Sequence, residues 1–194
     1  MTSRRILIID GHPDPDEQRF VHALAARYGQ GAASMGHEVR SIRITDLRFP
    51  LIASRAEWEG EAVPDDIRQA QQSVTWAEHL LILYPLWLGD MPALLKGFLE
   101  QVMRPGFAFA AATGKRQAKQ LKGRTARLVV TMGMPAFFYR AYFGAHSVKS
   151  FERNILKFVG IRPARHLLIG NVEADAVARQ GWLDELFGLG EGGI

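Results

Sequence analysis

The chain has 194 residues, 47% of them hydrophobic and 23% charged, which is ordinary globular composition and enough for one domain with a two-sided core. It has no cysteine, so disulfide staples, thiolate metal sites and a cysteine nucleophile are excluded, and any redox chemistry requires a bound cofactor. The net charge of +4 is spread along the chain, and no run of about 18 apolar residues occurs, so neither a membrane span nor membrane insertion is expected.

The first element is "RRILIID" (Arg4 to Asp10), a continuous apolar run that suits a strand covered on both faces. It is too short for the apolar core of a secretory signal, which leaves the cytoplasm as the expected location. From Asp16 to Tyr28, Phe20, Val21, Leu24, Ala25 and Tyr28 form one stripe at helical spacing. "HEVRSIRITDL" alternates Val39, Ile42 and Ile44 with Arg40 and Arg43, as a strand nearer an edge does. A loop follows, "RFPLIASRAEWEGEAVP".

Pro64 and Asp65 open a helix with Ile67, Ala70 and Val74 on one face. "HLLILYP" (His79 to Pro85) is the next buried strand. Pro92 then opens a helix whose apolar face is Leu94, Leu95, Phe98, Leu99 and Val102. "RLVVTMG" is a fourth strand, and "MPAFFYRAYFGAHSVKS" reads as a long irregular stretch leading to a helix from about Phe151 to Val159. Pro163 precedes a fifth strand in "RHLLIGNV", and "AVARQGWLDELFGL" is a closing helix. No repeat or low-complexity linker interrupts this order, so residues 1–194 read as a single α/β domain, a parallel sheet with helices on both faces.

Ligands of such sheets bind outside the carboxyl ends of the strands, where the strand order reverses. The loops to inspect are therefore "GHPDPDEQR", "PLWLGDM" and "GMPAFFYRAYFGAH". Neither a dinucleotide G-x-G-x-x-G nor a Walker A loop is present. The metalloprotease and hydrolase-elbow motifs are absent too, and the six scattered histidines have no metal-ligand spacing. The first loop runs into a helix N-terminus, where backbone N–H groups can take a phosphate with help from His12 or Arg19. Equally, Pro13 and Pro15 simply stiffen a turn beside a solvated Arg19. In the second loop Trp87 and Leu88 offer a flat apolar platform, or Trp87 folds back over the core or meets another subunit. The aromatics of the third loop, among them Tyr139, Tyr142 and Phe143, line either a ligand cleft or a dimer interface. A phosphate site beside flat apolar walls fits a phosphate-bearing aromatic heterocycle such as a flavin. The basic stretch from Gly114 to Arg127 is a solvated loop, an anion-attracting flap or, least in keeping with its lack of aromatics, a nucleic-acid contact.

In their order along the chain, "GHPDPDEQRF", "YPLWLGDMPALLKGFLEQV", "GFAF", "TMGMP" and "GAH" resemble the flavodoxin-like NAD(P)H:quinone oxidoreductases, the DT-diaphorase, modulator-of-drug-activity and potassium-efflux ancillary group. That resemblance implies a three-layer flavodoxin-like fold with a five-stranded parallel sheet in the order 2-1-3-4-5. It implies FAD, with FMN as the alternative, held by His12, Arg19, Phe20, Pro85, Leu86, Trp87, Leu88, Gly89, Thr131 and Gly133. Arg19 and Val21 depart from the family's pattern. His146 would be the catalytic histidine and Tyr139 its partner, with Tyr142 as the other candidate and a substrate-pocket residue. Phe109 matches an aromatic that a partner subunit offers to the substrate pocket, so a homodimer is implied. The expected reaction is ping-pong hydride transfer from NAD(P)H through the flavin to a quinone or similar flat electrophile. The lysines and arginines from Lys115 to Arg124 suit the extra phosphate of NADPH. The alternative is a flavin-binding ancillary subunit of a membrane transporter.

Overall fold

The computed structural model of the chain describes residues 2–60, 62–110, 118–173 and 176–194. Five strands, β1 (Arg5–Asp10), β2 (Glu38–Arg43), β3 (His79–Pro85), β4 (Thr125–Thr131) and β5 (Ala164–Ile169), form one sheet in the order β2-β1-β3-β4-β5. All four neighbouring pairs are parallel. Among the described residues the α-helices are α1 (Phe20–Ser34), α2 (Arg55–Glu59), α3 (Asp65–Trp76), α4 (Ala93–Val102), α5 (Ala136–Ala141), α6 (His146–Ser150), α7 (Lys157–Val159) and α8 (Ala176–Glu191). The expected strand order and three-layer arrangement are both present.

Side chains alternate along a strand, so the sheet divides its apolar residues between two cores. Leu7, Ile9, Leu80, Ile82 and Tyr84 face α3, α4 and the segment from α5 to α7. Ile6, Ile8, Leu81 and Leu83 face α1 and α8. β3 is buried at every position, which explains its unbroken apolar sequence, while β2 lies at an edge and exposes half of its residues. Helices α1 and α8 approach backbone to backbone at two glycines. A Cβ on Gly31 would lie 2.1 Å from the Phe187 carbonyl oxygen, and one on Gly190 would lie 2.2 Å from that of Tyr28. Two glycines thus dock α8 against α1.

Three expectations are corrected and one is narrowed. Helix α1 starts at Phe20 with Arg19 as its N-cap, at the late end of the expected Asp16 to Arg19 start. The Asp14 carboxylate accepts from Asp16 N–H at 3.0 Å and the Asp16 carboxylate from Gln18 N–H at 3.0 Å, so successive aspartate turns replace the first helical turn. The loop after β2 contains α2, because Ser54 caps it and accepts from Glu57 N–H while the Glu57 carboxylate reaches back to Ala53 N–H and the Ser54 hydroxyl. The stretch after β4 is not irregular. Pro135 opens α5, and α6 continues through a π-helical turn (Phe151–Leu156) into α7. Ile44 belongs to a 3₁₀ turn beyond β2.

Candidate functional site

β1, β3 and β4 end side by side, and the loops that leave them enclose a crevice of about 500 Å³. Its walls bring together eight of the residues expected to hold a cofactor. The first loop and the start of α1 supply His12, Arg19 and Phe20. The end of β3 supplies Pro85, Leu86 and Trp87, and the end of β4 supplies Thr131 and Gly133. Leu88 and Gly89 stand next to them at the tip of the turn after β3.

That turn has an unusual backbone. Leu88 has φ +48° and Gly89 φ +81°, so both central residues are left-handed. Glycine adopts this geometry freely, whereas leucine pays about 1–2 kcal/mol for it. Leu88 is also fully exposed, and Trp87 is half exposed. Strain together with exposed apolar surface marks a place built to be covered.

The other end of the crevice is polar. α1 begins with no side-chain cap and no acidic residue in its first turn, so its leading N–H groups and dipole suit an anion. His12 is buried. Its Nδ1 accepts from Asp14 N–H at 3.1 Å, and this partner assigns the ring proton to Nε2. Burial and then the neighbouring His22 hold its pKa below the usual histidine value, so the ring is a neutral donor. Arg19 is less available than expected, because its guanidinium pairs with Asp14 at 2.8 Å and Asp16 at 3.3 Å. The Asp14 carboxyl is lowered by the Asp16 N–H it accepts and by Arg19. A second guanidinium, that of Arg179 from α8, lies over the Phe20 ring at 4.6 Å and also lines the crevice.

The residues fit a flavin on observations of this structure alone. Trp87 and Leu86 form an apolar wall, Gly133 leaves open space where a side chain would stand, and donors gather at the α1 end. Sequence reasoning missed Arg179, Met132 and Val172 on the walls, as well as Asp10 and His22 beneath the first loop. Val21 is buried in the core and also borders the crevice.

None of the expected catalytic and substrate-pocket residues is on the walls of this crevice. Tyr139 is a core side chain whose hydroxyl is 2.6 Å from Ser147 Oγ, so it does not present a phenol to the crevice. Tyr142 is exposed and stacks on Phe138, with ring centroids 5.2 Å apart. His146 is exposed at the start of α6, after the left-handed pair Gly144 and Ala145. Phe109 is buried in a separate aromatic cluster, 5.3 Å from Phe158 and 6.4 Å from Trp58. The basic stretch expected to favour NADPH lies partly outside the described residues, at 111–117. Among the described residues there is no acidic or histidine cluster able to hold a metal and no helix long and apolar enough to cross a membrane.

The sequence model of the family described as flavodoxin-like fold matches residues 4–186. An uncharacterized NAD(P)H oxidoreductase of Haemophilus influenzae is 27% identical over 92% of this chain and 90% of its own. The ribosyldihydronicotinamide dehydrogenase [quinone] of Mus musculus is 33% identical over 72% of this chain and 68% of its own. The solved structure of an NAD(P)H:quinone oxidoreductase from Methanothermobacter marburgensis superimposes with a TM-score of 0.83 at 21% identity, covering 98% of both chains. The chain belongs to the flavodoxin-like fold family, among its NAD(P)H-dependent quinone oxidoreductases.

Proposed function

We propose that the chain carries out two-electron, ping-pong reduction of a quinone or similar flat electrophile at the expense of NAD(P)H, with a flavin in the crevice between β1, β3 and β4. The observation that carries this reading is the strained, solvent-facing Trp87-Leu88-Gly89 turn beside an uncapped helix N-terminus. A bound flavin would accept a hydride from the nicotinamide and pass it on to the second substrate. The protein's part is to bind, orient and shield. Leu86, Trp87, Thr131 and Gly133 would hold the flat ring. His12 Nε2 would donate to the phosphate tail, with Phe20 and Arg179 at that end. Both substrates use one exposed face in turn, which gives the ping-pong order.

His146 is proposed as the hydrogen-bond donor to negative charge developing on the substrate oxygen. Its motif and its place in the segment after β4 support this. The exposed aromatics Phe137, Phe138, Tyr142 and Phe143 support a homodimer. The resemblance favours FAD. FMN is named for a related protein, the FMN-dependent NADH:quinone oxidoreductase of Beijerinckia indica, 26% identical over 81% of this chain and 83% of its own.

The test is to purify the protein, identify the flavin released on denaturation by chromatography, and follow the two half-reactions by stopped flow. The reading expects one tightly held flavin that NAD(P)H bleaches and a quinone restores. A colourless protein that takes up neither FAD nor FMN contradicts it.

A further inference from the structure

Beneath the first loop lies a buried pair that the proposed reaction does not use. Asp10 ends β1 and His22 sits in the first turn of α1, with side chains only 8% and 2% exposed. His22 Nδ1 is 2.5 Å from Asp10 Oδ2, and His22 Nε2 is 2.9 Å from the Asp14 carbonyl oxygen. A carbonyl only accepts, and so does a carboxylate, so with Asp10 as the carboxylate both ring nitrogens are called on to donate, as an imidazolium does. Asp10 has two further donors beside it, which suit a carboxylate: His12 N–H donates to Oδ1 at 3.2 Å, and Arg43 Nε from β2 is 4.0 Å from Oδ2. Arg43 is itself paired with Glu17, and Arg19 faces Asp14 from the loop.

These bonds form a closed circuit. Asp10 holds the backbone of His12 and the ring of His22. His22 holds the carbonyl of Asp14, and the N–H of Asp14 fixes the His12 ring. The two rings touch edge to face, with centroids 5.3 Å apart. We propose that His22 is a positioning residue for an anionic phosphate group in the crevice: as an imidazolium bridging Asp10 and the Asp14 carbonyl, it locks the β1–α1 loop so that His12 presents its Nε2 proton to that phosphate. This rests on the flavin reading above and adds a residue that acts only on the phosphate end of the ligand.

The test has two parts. In protein labelled with ¹⁵N-histidine, ring-nitrogen spectra near neutral pH must show both His22 nitrogens protonated and His12 protonated on Nε2 alone. A neutral His22 ring overturns the proposal, whatever the variants do. Second, FMN, FAD and riboflavin are titrated by fluorescence into the flavin-free wild type, His22→Gln and Asp10→Asn. The variants are expected to lose roughly tenfold in affinity for FMN and FAD, the scale of a charge-assisted hydrogen bond, and to bind riboflavin as the wild type does. Equal weakening for riboflavin and FMN, or no weakening at all, overturns it. A wild type that binds none of the three flavins removes the flavin reading itself, and the proposal with it.

Discussion

Trp87 and Asp90 close a two-residue turn by exchanging backbone hydrogen bonds, 2.9 Å from Trp87 N to Asp90 O and 3.0 Å from Asp90 N to Trp87 O. Left-handed conformations at both central positions define the hairpin turn that Asn-Gly fills best, yet here the pair is Leu88-Gly89. The leucine is retained at a cost to the free protein. Leu88→Asn is expected to stabilise the flavin-free chain by about 1 kcal/mol, raising Tm by about 2–4 °C, while weakening flavin binding. Calorimetry of the apoprotein and a flavin titration check the two halves separately. A variant that is less stable and binds flavin as well as the wild type contradicts the role given to this turn.

Gly133 provides a way to fill the crevice without disturbing the fold. A Cβ at this position meets nothing within 4 Å, and the residue lines the crevice beside Thr131. Gly133→Val is therefore expected to fold within about 1 kcal/mol of the wild type and to lose its flavin. Flavin absorbance of the purified protein together with urea unfolding measures both properties. Full flavin occupancy in a folded Gly133→Val protein would place the flavin elsewhere.

His79 sets the acid limb of stability. It is buried at the start of β3, where its Nδ1 bonds to Thr125 Oγ1 at 2.6 Å. Burial, reinforced by Arg4 and Arg127, pushes its pKa down to about 3 from an ordinary 6.5. Below 6.5 the unfolded chain takes up a proton that the folded chain refuses. This contribution to stability is complete above 6.5 and is lost as pH falls towards 3, by at most roughly 1.4 kcal/mol per pH unit. Urea midpoints measured across this range should fall more steeply for the wild type than for His79→Gln. Parallel slopes would show that His79 is not the group responsible.

How much of this was legible in the sequence depended on how local the cause was. The unbroken "HLLILYP" announced a strand buried on both faces, and the stripe of Leu95, Phe98, Leu99 and Val102 announced α4, because period and burial are written in adjacent residues. The capping signal Ser54 to Glu57 was also present and marks α2. The late start of α1 follows from local aspartate turns that compete with the helix, a contest that spacing alone does not decide. The Asp10–His22 pair and the arrival of Arg179 over Phe20 are different in kind. Each joins residues whose meaning appears only once a strand end, a helix start and the closing helix share one edge of the sheet. Tyr139 has the expected spacing from His146, but its position in helix α5 turns it into the core, which spacing alone does not show.

His146 lies outside the walls of the crevice, so its proposed role separates cleanly from binding. His146→Ala should keep its flavin and its stability and lose about a hundredfold in hydride-transfer rate, the usual cost of removing one donor to developing charge. Anaerobic stopped flow measures the rate of each half-reaction. An unchanged rate in both would assign the histidine to structure or to a subunit contact.

The central claim is the position of the flavin, and a crystal structure of the protein grown with FAD or FMN tests it most directly. The account predicts the isoalloxazine lying flat between Trp87 and Gly133, with its phosphate beside His12 at the start of α1. A flavin bound at some other surface, or a crevice closed by the chain's own side chains in the presence of saturating flavin, would contradict it.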